Sequence, residues 1–122
     1  VLFRSETAKI FIFIQVAQES LLWDSRTGMT FLELAIDGFL SDLFRSWRGP
    51  GKEPASNHLV SVIICCRHRQ AQKQEQDQED GACRDQYSVA IDWEMHEDWA
   101  PTLRRVRAAA AMMAETHREA LL

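Results

Sequence analysis

Cysteine is scarce in this chain of 122 residues: Cys65, Cys66 and Cys83 are the full set. So small and odd a number excludes a disulfide framework as the source of stability. Cys65 and Cys66 are adjacent inside an apolar run, where a strand sends successive side chains to opposite faces. They read as buried small hydrophobes in a reducing compartment. Paired thiols at metal-ligand spacing are missing, which removes a structural zinc site. Long hydrophobic runs are lacking as well. The longest, Ile10–Ile14 extending to Ala17 with Gln15 inside it, falls far short of the roughly 20 residues needed to cross a bilayer. No basic segment precedes it in the manner of a signal peptide. Contact with a membrane is therefore expected through partners or other sequence, not by direct insertion. Basic charge is not in excess either, with 14 Lys and Arg against 18 Asp and Glu and a net charge of −4. A nucleic-acid partner, which calls for a clustered basic surplus, is not expected.

The motifs of common enzyme classes are missing too. The first apolar run leads into Gln18-Glu-Ser-Leu-Leu22, with neither GxGxxG nor GxxxxGK[ST] to cradle a phosphate. Ser20, Ser25 and Ser61 stand in no G-x-S-x-G elbow. His96-Glu97 does not extend to HExxH, because position 100 is alanine. Asp92, Glu94, Glu97 and Asp98 could be imagined as metal ligands or an acid–base pair, but they read more simply as a solvated turn complementing a helix N-terminus. No catalytic, cofactor-binding or metal-ligating residue is assigned, and no cofactor is expected.

What is present is a pattern of elements. Lys9–Ala17 (KIFIFIQVA) is nearly continuous in β-branched and aromatic residues and reads as a central strand buried on both faces. A polar connection with Asp24, Ser25 and Gly28 leads to Phe31–Trp47, predicted as a helix with its apolar face at Leu32, Ile36, Phe39, Leu40, Leu43 and Trp47. Thr30 and Glu33 supply a capping box at its start, and Arg48-Gly-Pro-Gly51 stops it. After the loop Gly49–Asn57, Leu59–Cys66 (LVSVIICC) reads as a second strand, which completes a βαβ unit. Residues 68–85, with the core AQKQEQDQEDGA, lack apolar periodicity and predict a mobile loop. Gln86–Asp92 follows without an intervening helix, so it should pair antiparallel with the second strand at the sheet edge. A last helix is predicted from Asp98 onward, with Asp98 as N-cap and Pro101 in the first turn. Trp99, Leu103, Val106, Ala110, Met113 and Leu121 mark its apolar stripe, with His117 among them. Arg104, Arg105, Arg107, Arg118 and Glu119 point outward, and one helix is expected on each face of the sheet. The tryptophans at 23, 47, 93 and 99 read as packing anchors, Trp23 being the best candidate for an exposed contact. The whole is one partial α/β domain, residues 1–122.

Five blocks in order carry a resemblance. Leu2-Phe-Arg-Ser5 precedes Phe13-Ile-Gln15, Glu19 and Trp23. Then come Phe31, Glu33, Ala35, Gly38-Phe-Leu40, Asp42-Leu-Phe44 and Trp47, ending in the pattern GFLxDLFxxW. His58, Val60, Val62 and Arg67 follow, and Tyr87, Val89, Glu97 and Trp99 complete the set. On these residues the chain resembles the Iml family of vacuolar membrane-associated proteins, the large DEP-domain-containing subunits of the GATOR (SEACIT) complex. The resemblance implies a truncated three-layer, von Willebrand A-like α/β domain, mostly parallel with an antiparallel edge strand. It also implies a non-catalytic scaffold in a GTPase-activating complex that restrains TOR signalling through Rag GTPases when amino acids are scarce. The implied partners are nitrogen-permease-regulator-like subunits, which carry the catalytic arginine, and the implied place is the cytoplasmic side of the vacuolar or lysosomal membrane. A metal-binding A domain would carry DxSxS where this chain has Gln15, Ala17 and Glu19, so a hard cation would lack its oxygen cage. The Gln-rich segment also departs from the family pattern. The rival reading is a fragment of a small α/β hydrolase or nucleotide-binding enzyme with its active residues beyond Leu122.

Overall fold

The computed structural model of the chain describes residues 8–47, 58–69 and 83–122. The opening block Leu2–Ser5, the helix stop at Arg48–Gly51, the loop 49–57 and the Gln-rich core of 71–82 lie outside them.

Strand β1 (Lys9–Val16) pairs in parallel with β4 (Leu59–Arg69), in register from Lys9 opposite Leu59 to Val16 opposite Cys66. Strand β5 (Cys83–Glu94) pairs antiparallel with the other side of β4, giving the order β1-β4-β5. The antiparallel third strand at an edge is thus as the sequence predicts. The central position of the first strand is not: β4 is central, and β1 is the opposite edge of the described sheet. The strand ladder is also longer than expected. Arg67, His68 and Arg69 pair with Asp85, Arg84 and Cys83, so both ends of the predicted loop 68–85 are strand.

Between β1 and β4 the chain makes a short 3₁₀ turn (Glu19–Leu21) and a two-residue hairpin, β2 (Trp23–Asp24) with β3 (Met29–Thr30). The composition of this polar connection hides the hairpin. The Asp24 carboxylate accepts from the Arg26 N–H and the Thr27 hydroxyl, and Gly28 takes φ +68°, a conformation glycine adopts without steric cost. The helical run follows at once as α1 (Phe31–Glu33), seven π-helical residues (Leu34–Leu40) and α2 (Ser41–Ser46). The capping box is formed at both halves: Thr30 Oγ1 accepts from the Glu33 N–H at 3.2 Å, and Glu33 Oε2 accepts from the Thr30 N–H at 3.0 Å. The final helix, α3 (Ala100–His117), has Trp99 at its N-cap position and not the expected Asp98, which lies one residue earlier and accepts from the Ala100 N–H through Oδ1.

The two helical runs share one face of the sheet, contrary to the expectation of one on each. A single cluster joins Leu32, Ile36, Leu40 and Phe44 to Trp99, Val106, Ala110 and Met113, and both sets to Val16, Val60, Val62, Ile64, Cys66 and Ile91. Each fully buried aliphatic side chain in it is worth about 1.5–3 kcal/mol relative to exposure. Phe39 does not join this face as predicted. It stands 68% exposed while Phe44 is buried, a change traced below to the π-helical turn. Leu121 is buried as expected, but it sits beyond α3 in an antiparallel bridge to His68.

Candidate functional site

In open α/β sheets ligands gather at the carboxyl ends of parallel strands, and here that end is filled by the chain itself. Just after β1, the Gln18 N–H donates to the Leu122 carbonyl at 3.3 Å, and the Gln18 side-chain amide donates to the Leu121 carbonyl at 2.7 Å. Just after the last pair of β1 and β4, the Leu122 N–H donates to the Arg67 carbonyl and the Arg69 N–H to the Ala120 carbonyl. Ser20 does not face a substrate: its hydroxyl donates to the Ala17 carbonyl and accepts from the Ala17 N–H. Gln15 and Glu19 are exposed on either side of this turn. Among the described residues no group of three or more His, Cys, Asp or Glu is placed to hold a metal ion.

At the same end of the sheet, a feature without a sequence signal brings His68 and His117 face to face. Their ring centroids are 4.3 Å apart with planes 13° from parallel. The Nε2 of His68 is buried with no hydrogen-bond partner. Burial, and then the neighbouring His68, hold the His117 imidazole below its ordinary titration range.

The acidic residues after β5 form no paired-carboxylate site. Glu94 receives Arg105 and His96 at 3.0 Å and 2.8 Å, and these hydrogen bonds bring its carboxyl down to about 2. Asp98 serves the helix start, and Asp92 and Glu97 are exposed. The basic residues of α3 are largely structural. Arg105 binds Glu94, and Arg107 forms a forked pair with Asp37, 70 residues away. Ser25 is exposed, while Cys65 and Cys66 have thiols pushed up by burial, which disfavours the reactive thiolate. Nothing in this set assembles a nucleophile with a base.

Two surfaces remain as candidates for binding. The first is a groove of about 350 Å³ between the helical runs, floored by Leu21, Leu32, Ile36, Ala110, Ala111 and Ala114. Thr30, Glu33, Asp37, Arg107, Glu115 and Arg118 rim it. Alanines keep the floor low enough to admit an apolar side chain, and Thr30, Glu33, Asp37 and Arg107 are already engaged in the cap and the ion pair. The second is the sheet face turned away from the helices. Phe11, Phe13, Tyr87 and Val89 are each more than half exposed there. Trp93, held at φ 48° beside a bulge in the β4–β5 ladder, lies edge-on to Phe11 with centroids 4.5 Å apart. Its N–H donates to the buried Ser61 hydroxyl at 3.0 Å. Trp23 is 69% exposed on the hairpin, with Leu22 and Phe31 exposed nearby in sequence. Trp47 and Trp99 do act as anchors, clustered with Phe44 and His58. The alternation in KIFIFIQV was the signal for the outward row; what it leaves open is which face is covered.

Comparison with known proteins gives these surfaces a context. Residues 7–120 match the family model of the vacuolar membrane-associated protein Iml1, vWA-like domain. The chain is 31% identical over 120 residues to the GATOR complex protein Iml1 of Drosophila melanogaster, covering 88% of the chain and 7% of that protein. It is 31% identical over 138 residues to the vacuolar membrane-associated protein iml1 of Schizosaccharomyces pombe, covering 90% of the chain and 9% of the relative. A DEP domain-containing protein of Dictyostelium discoideum is 39% identical over 66 residues, or 53% of the chain and 3% of its own length. The chain therefore spans less than a tenth of the length of these relatives. With a mixed sheet of the expected order and a match across nearly all its residues, the chain belongs to the Iml1 family, as a truncated vWA-like domain.

Proposed function

We propose that this chain acts as a non-catalytic scaffold segment within an Iml1-type subunit of a GATOR-like complex, working by protein–protein contact. The observation that carries the reading is the match of residues 7–120 to the Iml1 vWA-like domain. It is supported by the local chemistry: Ser20, Glu94, Asp98, Arg105 and Arg107 are engaged in turns and ion pairs. The relatives' names place one in a GATOR complex and another at the vacuolar membrane. By extension, this chain would serve a GTPase-activating (SEACIT-type) assembly that restrains TOR signalling through Rag GTPases under amino-acid starvation. Its direct partners would be nitrogen-permease-regulator-like subunits, which supply the catalytic arginine. Location would be peripheral, on the cytoplasmic side of the vacuolar or lysosomal membrane; no helix among the described residues is long and apolar enough to cross one.

The test is co-purification of the two permease-regulator-like subunits with the full polypeptide that carries this segment, with and without residues 1–122. Loss of both subunits on deletion is the expected result. Undiminished capture by the deleted form would overturn the reading. Thermal-shift titration of the chain with nucleotides and divalent cations addresses the rival enzyme reading, for which a rise of several degrees would speak.

A further inference from the structure

The inward rows of β4 and α3 each end on a histidine. His68 follows Val62, Ile64 and Cys66 along the strand, and His117 follows Val106, Ala110 and Met113 along the helix. Alternate strand positions and three- or four-residue helix steps carry both rings inward, where they stack at 4.3 Å. Beyond His117 the chain turns back, the Ala120 N–H donating to the His117 carbonyl, and Leu121 bridges His68. The two rings thus hang from the same backbone that clasps Ala120–Leu122 onto Gln18, Arg67 and Arg69.

This contact is built for uncharged rings. His68 Nδ1 lies 3.4 Å from the Arg69 carbonyl, which assigns the proton of the neutral ring to that nitrogen. Its Nε2 then keeps a lone pair, buried with no hydrogen-bond partner among the described residues. A proton added there would become a buried N–H without an acceptor. Neighbouring charges do not offset one. On β5, Arg84 is registered opposite His68, while Asp85 acts on His68 but is already bonded to Arg67. Arg67 and Arg69 flank His68 on β4, and Arg118 follows His117. Glu115 on α3, Glu119 after it and Glu19 after β1 are exposed.

We propose that the stacked His68–His117 pair is an acid-sensitive latch, whose protonation parts the rings, releases Ala120–Leu122 and opens the carboxyl end of β1 and β4. A doubly protonated stack would set two like charges 4.3 Å apart beside Arg84 and Arg118, at a site too dry to screen them well. Once parted, both rings meet solvent and take their protons without that penalty. His117 fixes the sign. Its ordinary value of 6.5 is lowered by burial and then by His68, so the open form binds a proton that the closed form excludes. Falling pH below about 6.5 therefore favours opening, by about tenfold in the open-to-closed ratio per pH unit down to the lowered value. Release frees the Gln18 amide and the Arg67 carbonyl, at the end of the sheet where ligands of open α/β folds gather. The latch needs no partner and stands apart from the scaffold reading.

The test is hydrogen exchange read by mass spectrometry on the full polypeptide that carries this segment, at pH 7.5 and pH 5.5. Rates are expressed as protection factors, which removes the intrinsic pH dependence of amide exchange. Peptides holding the Gln18, Arg69 and Leu122 amides should lose protection several-fold at the lower pH. Peptides within Phe11–Ile14 and Val62–Ile64 should keep theirs. His117→Phe, which retains a ring against His68 but takes no proton, should leave the first set protected at both pH values. Should that variant fail to fold, His68→Phe makes the same demand from the other side of the stack. Equal protection of the parent at the two pH values overturns the latch. So does a loss shared by the core strands, which would be global unfolding, or a loss that persists undiminished in the folded phenylalanine variant.

Discussion

Two groups on α3 and β5 give the protein separate sensitivities to acid. His117 is held below its ordinary value of 6.5, first by burial and then by His68 stacked 4.3 Å away. Between that lowered value and 6.5 the unfolded chain binds more protons than the folded one, so stability rises with pH there. The contribution is complete above about 6.5 and is lost as pH falls through the folded value. Glu94 works in a lower window. Its carboxyl, at about 2 in the fold against 4.5 ordinarily, is stabilised by Arg105 and His96. That stability is present above 4.5 and disappears as pH falls towards 2. Urea unfolding followed from pH 8 to pH 3 should therefore decline in two steps. The His117→Phe variant, which keeps a ring against His68, should lose the upper step and retain the lower one. An unchanged upper step in that variant would place its origin elsewhere.

At the scale of elements the helical run shows what was legible and what was not. The Thr30–Glu33 capping box was plain in the sequence, because its spacing is set by backbone geometry that does not depend on the rest of the fold. Thr30→Ala should cost about 1 kcal/mol in denaturant unfolding, by orphaning the Glu33 N–H. The inward face departs from the predicted one at two positions, Phe39 standing outside and Phe44 inside. An α-helix alternates steps of three and four, which puts Phe39 inside with Ile36, Leu40 and Leu43. The buried residues are instead Leu32, Ile36, Leu40 and Phe44, spaced by four throughout. At 3.6 residues per turn each such step drifts by about 40°, and three of them would carry the stripe off the core. Wider π-helical turns at Leu34–Leu40 remove the drift, and in doing so they turn Phe39 out to solvent. Nothing local in LAIDGFL announces that winding; the sheet and α3 on one side of it impose it. Phe44→Ala should accordingly cost about 3–5 kcal/mol, whereas Phe39→Ser should change the unfolding midpoint little. Equal losses at the two positions would contradict the four-residue spacing.

For the molecule as a whole, the relative direction of the strands was legible, because a parallel crossover needs a helix and the segment between the last two strands has no helical pattern. Which strand is central was not, since an apolar run encodes burial on both faces without naming what buries it. The way the chain fills its own strand ends was not legible either. That closure joins residues 103 positions apart through the Gln18 side chain and the Leu121 carbonyl, and no periodicity records such a pairing. Its consequence is that Ala120–Leu122, lying beyond the last helix, should behave as interior rather than as a frayed end. Leu121 is 1% exposed and bridges His68, while the Leu122 and Arg69 amides donate across the same junction. Leu121→Ala should then cost about 2–5 kcal/mol, as for other buried leucines. Hydrogen exchange provides the sharper check. The Gln18, Arg69 and Leu122 amides should be protected in the parent chain and should lose protection together in the variant, because one contact holds all three. Independent exchange of the Arg69 amide, unmoved by the substitution, would mean that β4 keeps its end without the tail and that the strand ends are open to a ligand after all.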